Sequence, residues 1–151
     1  IIPGEVQRMS AGRGIHHSEY NASHSEPVRF LQIWIQPQQP GIDPGYEQKQ
    51  FFSESDAVES QFMLVGSPDG REDSITIHQD VIMYVARMRE GGKQTLEIAE
   101  GRKAWVQMVK GTANVNEERL SEGDGAAIES AEKITFSATS NAEILVFDLS
   151  A

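Results

Sequence analysis

The sequence contains no cysteine. Disulfides, thiolate metal sites and cysteine nucleophiles are therefore excluded. Basic residues are scarce: Lys plus Arg is 13 against 23 for Asp plus Glu, a formal charge of −10. That balance argues against a nucleic-acid partner, because phosphate neutralisation needs a basic surface. It argues equally against an anionic membrane surface. No apolar run approaches the roughly 20 residues that span a bilayer. The opening residues Ile1-Ile2-Pro3-Gly4-Glu5 have neither the basic n-region nor the apolar h-region of a signal peptide. The first residue is not Met, which is read as a processed or truncated product. A cytoplasmic location fits these absences. Helical periodicity is missing as well; its best candidate, residues 54–61, is short and polar.

What is present is a series of short apolar runs broken by Gly, Pro, Asn and Asp. Residues 30–35 (Phe-Leu-Gln-Ile-Trp-Ile) are β-branched and aromatic, and Pro37 ends them. Residues 74–78 alternate with period two, as a half-buried strand does. Further strands are expected over 81–86, 94–98, 104–109, 112–115, 134–138 and 143–149. Gly91-Gly92 reads as a hairpin turn, and Asn116-Glu117 and Gly123-Asp124-Gly125 as further turns. Many short strands with regular turn signals mean an antiparallel sandwich or barrel. Three of the six prolines fall between residues 36 and 45, which reads as a connector. The expected organisation is residues 1–50 as an incomplete first unit plus linker, and 51–151 as one complete small barrel.

Three of the four histidines fall within nine residues: His16, His17 and His24. Glu19 follows His17 by two. On a strand, i and i+2 share a face, so His17 and Glu19 are expected to converge. An imidazole beside a carboxylate suits Fe, Mn, Ni or Cu. His16 and His24 read as surface residues and His78 as a structural hydrogen-bonding residue.

Gly12-x-Gly14-x-x-His17-x-x-x-Asn21 resembles the second conserved motif of the cupin superfamily, with Gly12 where proline is usual. More narrowly, residues 9–21 resemble the pirin family, as does Leu31-Gln32-Ile33-Trp34-Ile35 followed by Pro37. Gly41-Ile42-x-Pro44-x-Tyr46-Glu47-Gln48, Leu64-Val65-x-Ser67-Pro68 and Ile77-His78-Gln79-Asp80 resemble bacterial pirin-like proteins. The matches run in order over nearly the whole chain, more loosely after Gly111.

The resemblance implies an all-β fold, a bicupin of two jelly-roll barrels (double-stranded β-helices), here with an incomplete first barrel. It implies a mononuclear metal held by three histidines and a glutamate. His17 and Glu19 take two of those places, and the His-x-His supplying the others is not in this sequence. Iron leads the candidate metals, with manganese, nickel, copper and zinc as alternatives. Two ligands of four are expected to hold any of them weakly or not at all. The family's chemistry is dioxygenation of flavonols such as quercetin, with the glutamate as general base on the flavonol hydroxyl; Glu19 takes that catalytic role. Met9, Gln32 and Trp34 are candidates to line the substrate pocket. The second barrel is expected to be metal-free.

Three readings stay open. One is a quercetin 2,3-dioxygenase-like enzyme, with little turnover in this chain. Another is a regulatory module that binds a transcription factor or metabolic enzyme, its metal a redox sensor. The third is an inactive remnant whose exposed strand edges pair in a homodimer.

Overall fold

The computed structural model describes residues 1–53, 60–130 and 133–151. Most of the helix candidate (54–59) lies outside the described residues, as do residues 131–132.

Alternating side chains set the architecture. In β7 (Lys103–Lys110), Ala104, Val106 and Met108 are buried while their neighbours are not. In β11 (Lys133–Ala138), Ile134, Phe136 and Ala138 do the same. β12 (Ala142–Leu149) sits between β7 and β5 (Val81–Met88), antiparallel to both. With β10 (Gly125–Ile128), β3 (Phe62–Ser67) and β4 (Ile75–Thr76) they form a six-stranded sheet, ordered β10-β7-β12-β5-β3-β4. A four-stranded sheet, ordered β6-β11-β8-β9, faces it, with β6 at Lys93–Glu97, β8 at Thr112–Val115 and β9 at Glu118–Ser121. Between the sheets lies the core, including Met88, Met108, Ile134, Phe136 and Ile144. The Phe62 and Phe136 rings meet edge-on at 4.8 Å. The expected all-β, two-sheet barrel is therefore present. Among the described residues no helix is long and apolar enough to cross a membrane.

Among the described residues, β1 (Glu5–Ser10) and β2 (Gly45–Gln50) pair only with each other. This ribbon of two strands does not close a barrel. It packs with residues 35, 51 and 52 on the outer face of the six-stranded sheet, around Val65, Val85 and Leu145.

Two sequence expectations are corrected. Gly91-Gly92 is not a hairpin turn. Both edges of β5 are taken, by β3 and β12, so the chain cannot fold back beside it. Instead Gly91 N–H donates to Ala138 O, and Ala138 N–H to Gly92 O, both at 2.9 Å, carrying the chain across to the four-stranded sheet. Residues 30–35 are not a strand: no neighbour among the described residues offers them a hydrogen-bonded ladder. Gly111 turns the corner between β7 and β8. Its φ is 75°, and a Cβ there would stand 2.1 Å from Asn141 O, so glycine is required. Asn116-Glu117 is a true hairpin between β8 and β9.

One buried charge is tied down at the end of β12. Asp148 is 4% exposed. Arg102 Nε donates to its carboxylate, Arg102 Nη2 donates to Asp148 O at 3.2 Å, and Arg102 Nη1 donates to Asp80 at 2.9 Å. Burial works to lower the Arg102 pKa, but the two carboxylates outweigh it and raise it. Arg102→Leu strands the Asp148 charge. The expected loss is roughly 3 kcal/mol, the low end for a broken buried pair because Arg102 keeps some solvent contact. Arg102→Leu/Asp148→Leu should recover most of it. Urea unfolding measures both, and a single variant as stable as the parent would refute the clamp.

Candidate metal centre

The ribbon has two chemically different faces, fixed by its register. Met9 stands opposite Tyr46, and Gln7 opposite Gln48. Glu5, Gln7 and Met9 therefore share one face with Tyr46, Gln48 and Gln50, while Val6, Arg8 and Ser10 share the other with Glu47 and Lys49. The second face is the anchored one. Val6 packs on the outer apolar cluster of the barrel. Glu47 Oε2 accepts from Thr76 N–H and from Arg8 Nη2, each at 3.0 Å. Lys49 Nζ donates to Asp73 O at 2.6 Å and pairs with the Asp73 carboxylate.

The first face is open and carries a polar network. Tyr46 O–H donates to Gln48 Oε1 and lies 3.2 Å from Gln7 Oε1. Gln7 Nε2 donates to Glu19 Oε1. The Ile2 N–H and then the Gln48 side chain hold the Glu5 carboxyl below the ordinary carboxylate range.

Glu19 reaches this face from the connection between β1 and β2. The base of that connection is closed by Gly12, whose φ is 53° and whose Cβ position is 2.1 Å from Ile42 O, and by Arg13 donating to Asp43 at 2.7 Å. Proline, fixed near −65°, cannot adopt that φ, which accounts for the departure from the usual motif. Asn21, the motif's last residue, closes a local turn: its Nδ2 donates to Glu26 O at 2.7 Å, and its Oδ1 accepts from Ser23 N–H at 3.0 Å.

His17 and Glu19 are both exposed and lie outside any strand. The step-of-two argument for their convergence assumed a pleated strand. No ladder forms there, so the pleat does not impose a common face. What fixes Glu19 is the side chain of Gln7. His16, His24 and His78 are also exposed. Among the described residues no group of three or more His, Asp or Glu side chains is arranged to hold a metal. An imidazole nitrogen and a carboxylate oxygen fit a first-row divalent cation by type; two donors do not complete its coordination sphere.

The three residues expected to line a substrate pocket are placed in two locations. Met9 is on the open ribbon face. Gln32 and Trp34 line a groove of about 440 Å³ over the outer sheet, with Trp105, Gln107, Leu145 and Phe147. Gln38 N–H donates to His78 O at 2.8 Å, and Gln79 Nε2 to Gln36 O at 3.0 Å, which hold the groove's covering segment in place. Trp34 is 89% exposed. Sequence reasoning gave no role to Gln7, Tyr46 or Gln48.

Comparison with known proteins adds to this geometry. A family model described as the quercetinase C-terminal cupin domain matches residues 64–149, and one described as pirin matches residues 1–35. The chain is 44% identical over 149 residues to a quercetin 2,3-dioxygenase of Escherichia coli, covering 99% of this chain and 62% of that protein. It is 33% identical over 147 residues to a pirin-like protein of Caulobacter vibrioides, covering 97% and 62%. The crystal structure of the bacterial pirin YhhW from Escherichia coli in complex with nickel(II) superposes with a TM-score of 0.89 at 43% identity, over 99% of this chain and 63% of that one. The chain thus spans about 62% of the length of the curated relatives it matches.

Glu47 is one of the polar contacts that tie the docked ribbon to β4. Burial works to raise its pKa, but the Thr76 N–H and the Arg8 guanidinium outweigh it and hold the carboxyl below its ordinary value. A carboxylate depressed in the folded state stabilises above its unfolded pKa, about 4.3, and that contribution is lost as pH falls through the folded value. Amide exchange in β1 and β2, corrected for its intrinsic pH dependence, should accelerate relative to β12 below about pH 4. Glu47→Gln should already be faster at neutral pH and lose that dependence. Indistinguishable profiles for the two proteins would remove Glu47 as the anchor.

Proposed function

Because the chain belongs to the pirin family of quercetinase-like cupins, we propose that it is part of a metal-dependent dioxygenase acting on a flavonol-type polyphenol, with His17 and Glu19 as two of the metal's ligands. The observation that carries this reading is the Gln7–Glu19 contact, which brings the motif's carboxylate onto the open face of a ribbon anchored to the barrel. The remaining coordination positions belong to water or to donors outside the described residues.

The donor pair suits iron or nickel and equally manganese, copper or zinc; the nickel(II) in the YhhW structure supports a divalent cation. When bound, the cation supplies Lewis acidity toward a phenolic oxygen. The chain's own residues do the rest. Gln7 engages Glu19 Oε1, which leaves Oε2 to accept the flavonol hydroxyl proton. Tyr46 and Met9 offer an aromatic and an apolar surface on the same ribbon face. The groove at Gln32 and Trp34 has apolar walls and side-chain amides, a lining suited to a planar polyphenol.

The test is oxygen consumption with quercetin by a metal-loaded longer chain that also carries the upstream His-x-His; this chain alone, with two of the four ligands, should turn over little. Oxygen uptake should match flavonol loss, and Glu19→Gln should lower it by roughly 10²–10⁴-fold, the usual contribution of a general base. A metal-loaded protein that consumes no oxygen with any flavonol would refute the reading, as would an unchanged rate in Glu19→Gln.

A further inference from the structure

We propose that the groove over the outer sheet binds a neutral, planar, hydroxyl-bearing aromatic molecule without any metal: the Trp105 indole stacks on the ligand's ring and Gln107 Oε1 accepts from one of its hydroxyls. The ligand class rests on the polyphenol reading above; the place, the two residues and the independence from a cation go beyond it.

The lining selects the kind of ligand. Every side chain that lines the groove is uncharged, in a chain whose formal charge is −10. Burial against such walls penalises an ionised ligand and admits a neutral one. The volume of about 440 Å³ is that of a small-molecule site. Val81, Leu145 and Phe147 give it an apolar floor on the outer face of the six-stranded sheet, a surface against which a flat molecule makes the most contact. His17, Glu19 and Met9 are not among the lining residues, so the groove fills without reference to the candidate metal centre.

Two contacts orient the side chains that would read the ligand. A Cβ at Gly125 would stand 2.3 Å from Trp105 Cζ2. The indole therefore lies against bare backbone of β10, and that contact sets the ring's place at the groove. Gln107 is oriented by hydrogen bonds. Its Nε2 donates to Gly123 O at 3.1 Å and to Asp124 O at 3.0 Å, in the turn between β9 and β10. A side-chain amide donates only through its nitrogen. With the nitrogen engaged by the turn, Gln107 has an acceptor left to offer. Among the described residues no donor meets that oxygen. A ligand hydroxyl supplies the missing donor, whereas a ligand without one covers the oxygen and leaves it unpaired.

Both tryptophans of the chain, Trp34 and Trp105, line the groove, so intrinsic fluorescence reports on it directly. The probes are quercetin and its fully O-methylated derivative, which keeps the rings and has no hydroxyl to donate. Equilibrium dialysis is run with a metal chelator, in slightly acidic buffer that keeps the flavonol neutral. The parent should bind both, quercetin the tighter by roughly 2–10-fold, the worth of a neutral hydrogen bond. Both ligands should perturb the tryptophan emission. Gln107→Met should erase the preference for quercetin. The turn survives that change, because Met108 N–H donates to Asp124 O at 2.9 Å and Gly123 N–H to Met108 O at 3.0 Å. Gly125→Ala should displace the indole and weaken both ligands alike, with the preference kept. An undiminished preference in Gln107→Met would overturn the proposal. So would a parent that binds neither ligand in chelator, a result that leaves the metal reading to its own oxygen-uptake test. Tryptophan emission that shifts with protein concentration in the absence of ligand would assign the groove to a second copy of the chain and overturn it as well.

Discussion

The six-stranded sheet is apolar on both faces, and the rest of the molecule is arranged to cover it. β12 shows this most directly. Ile144 and Val146 face the core between the sheets, while Leu145 belongs to the outer cluster that Phe147 and Leu149 pack against. Burying one such side chain contributes about 1.5–3 kcal/mol, so leaving a whole face of them in water would cost more than a domain's net stability. The four-stranded sheet covers the inner face. The outer face is covered by what precedes the barrel in sequence: Val6 from β1, Ile35 from the connection, and Phe51 and Phe52 after β2. Hydrophobic burial therefore brings the ribbon to the barrel. The Glu47–Thr76 and Lys49–Asp73 contacts then set how it sits.

Much of this was legible in the sequence, for a physical reason. Strands such as 103–110 and 133–138 alternate in polarity because one of their faces is buried, and period two survives translation into structure. Asn116-Glu117 was legible as a chain reversal. What each glycine pair connects was not. Gly91-Gly92 has hairpin chemistry, yet its role depends on whether β5 has a free edge, and only the assembled sheet decides that. The run at 30–35 has a strand's composition and no partner. A single strand has no internal hydrogen bonds, so composition alone cannot create one. β1 and β2 show the converse: their residues are largely polar, and they pair because the outer sheet face holds them side by side.

The candidate centre was legible by motif and only half legible by geometry. His17, Glu19 and their spacing stand out, as does the anomalous Gly12. The structure explains Gly12 by its positive φ and its approach to Ile42, a constraint that no motif reveals. The hydrogen-bonded contacts of Gln7 and Tyr46 were invisible because glutamine and tyrosine on a half-exposed strand have no chemical signature by themselves. Their meaning comes from register. Pairing Gln7 with Gln48 and Met9 with Tyr46 puts all four on one face, and that face happens to be the one Glu19 reaches.

This division of labour follows from what a single exposed hydrogen bond can do. Ordering a residue's backbone costs about 1–2 kcal/mol, so one such bond cannot fix a long connection against that cost. The connection is instead confined at its ends. Gly12 and the Arg13–Asp43 pair close it beside the ribbon, and the bonds from residues 36 and 38 to residues 78 and 79 secure it on the barrel. With the backbone already restricted, the Gln7 contact has only a side-chain rotamer left to select. Strand pairing, loop closure and amide orientation thus act at successively finer scales on one carboxylate. Each depends on the coarser one, and all of them begin from the apolar outer face of the sheet.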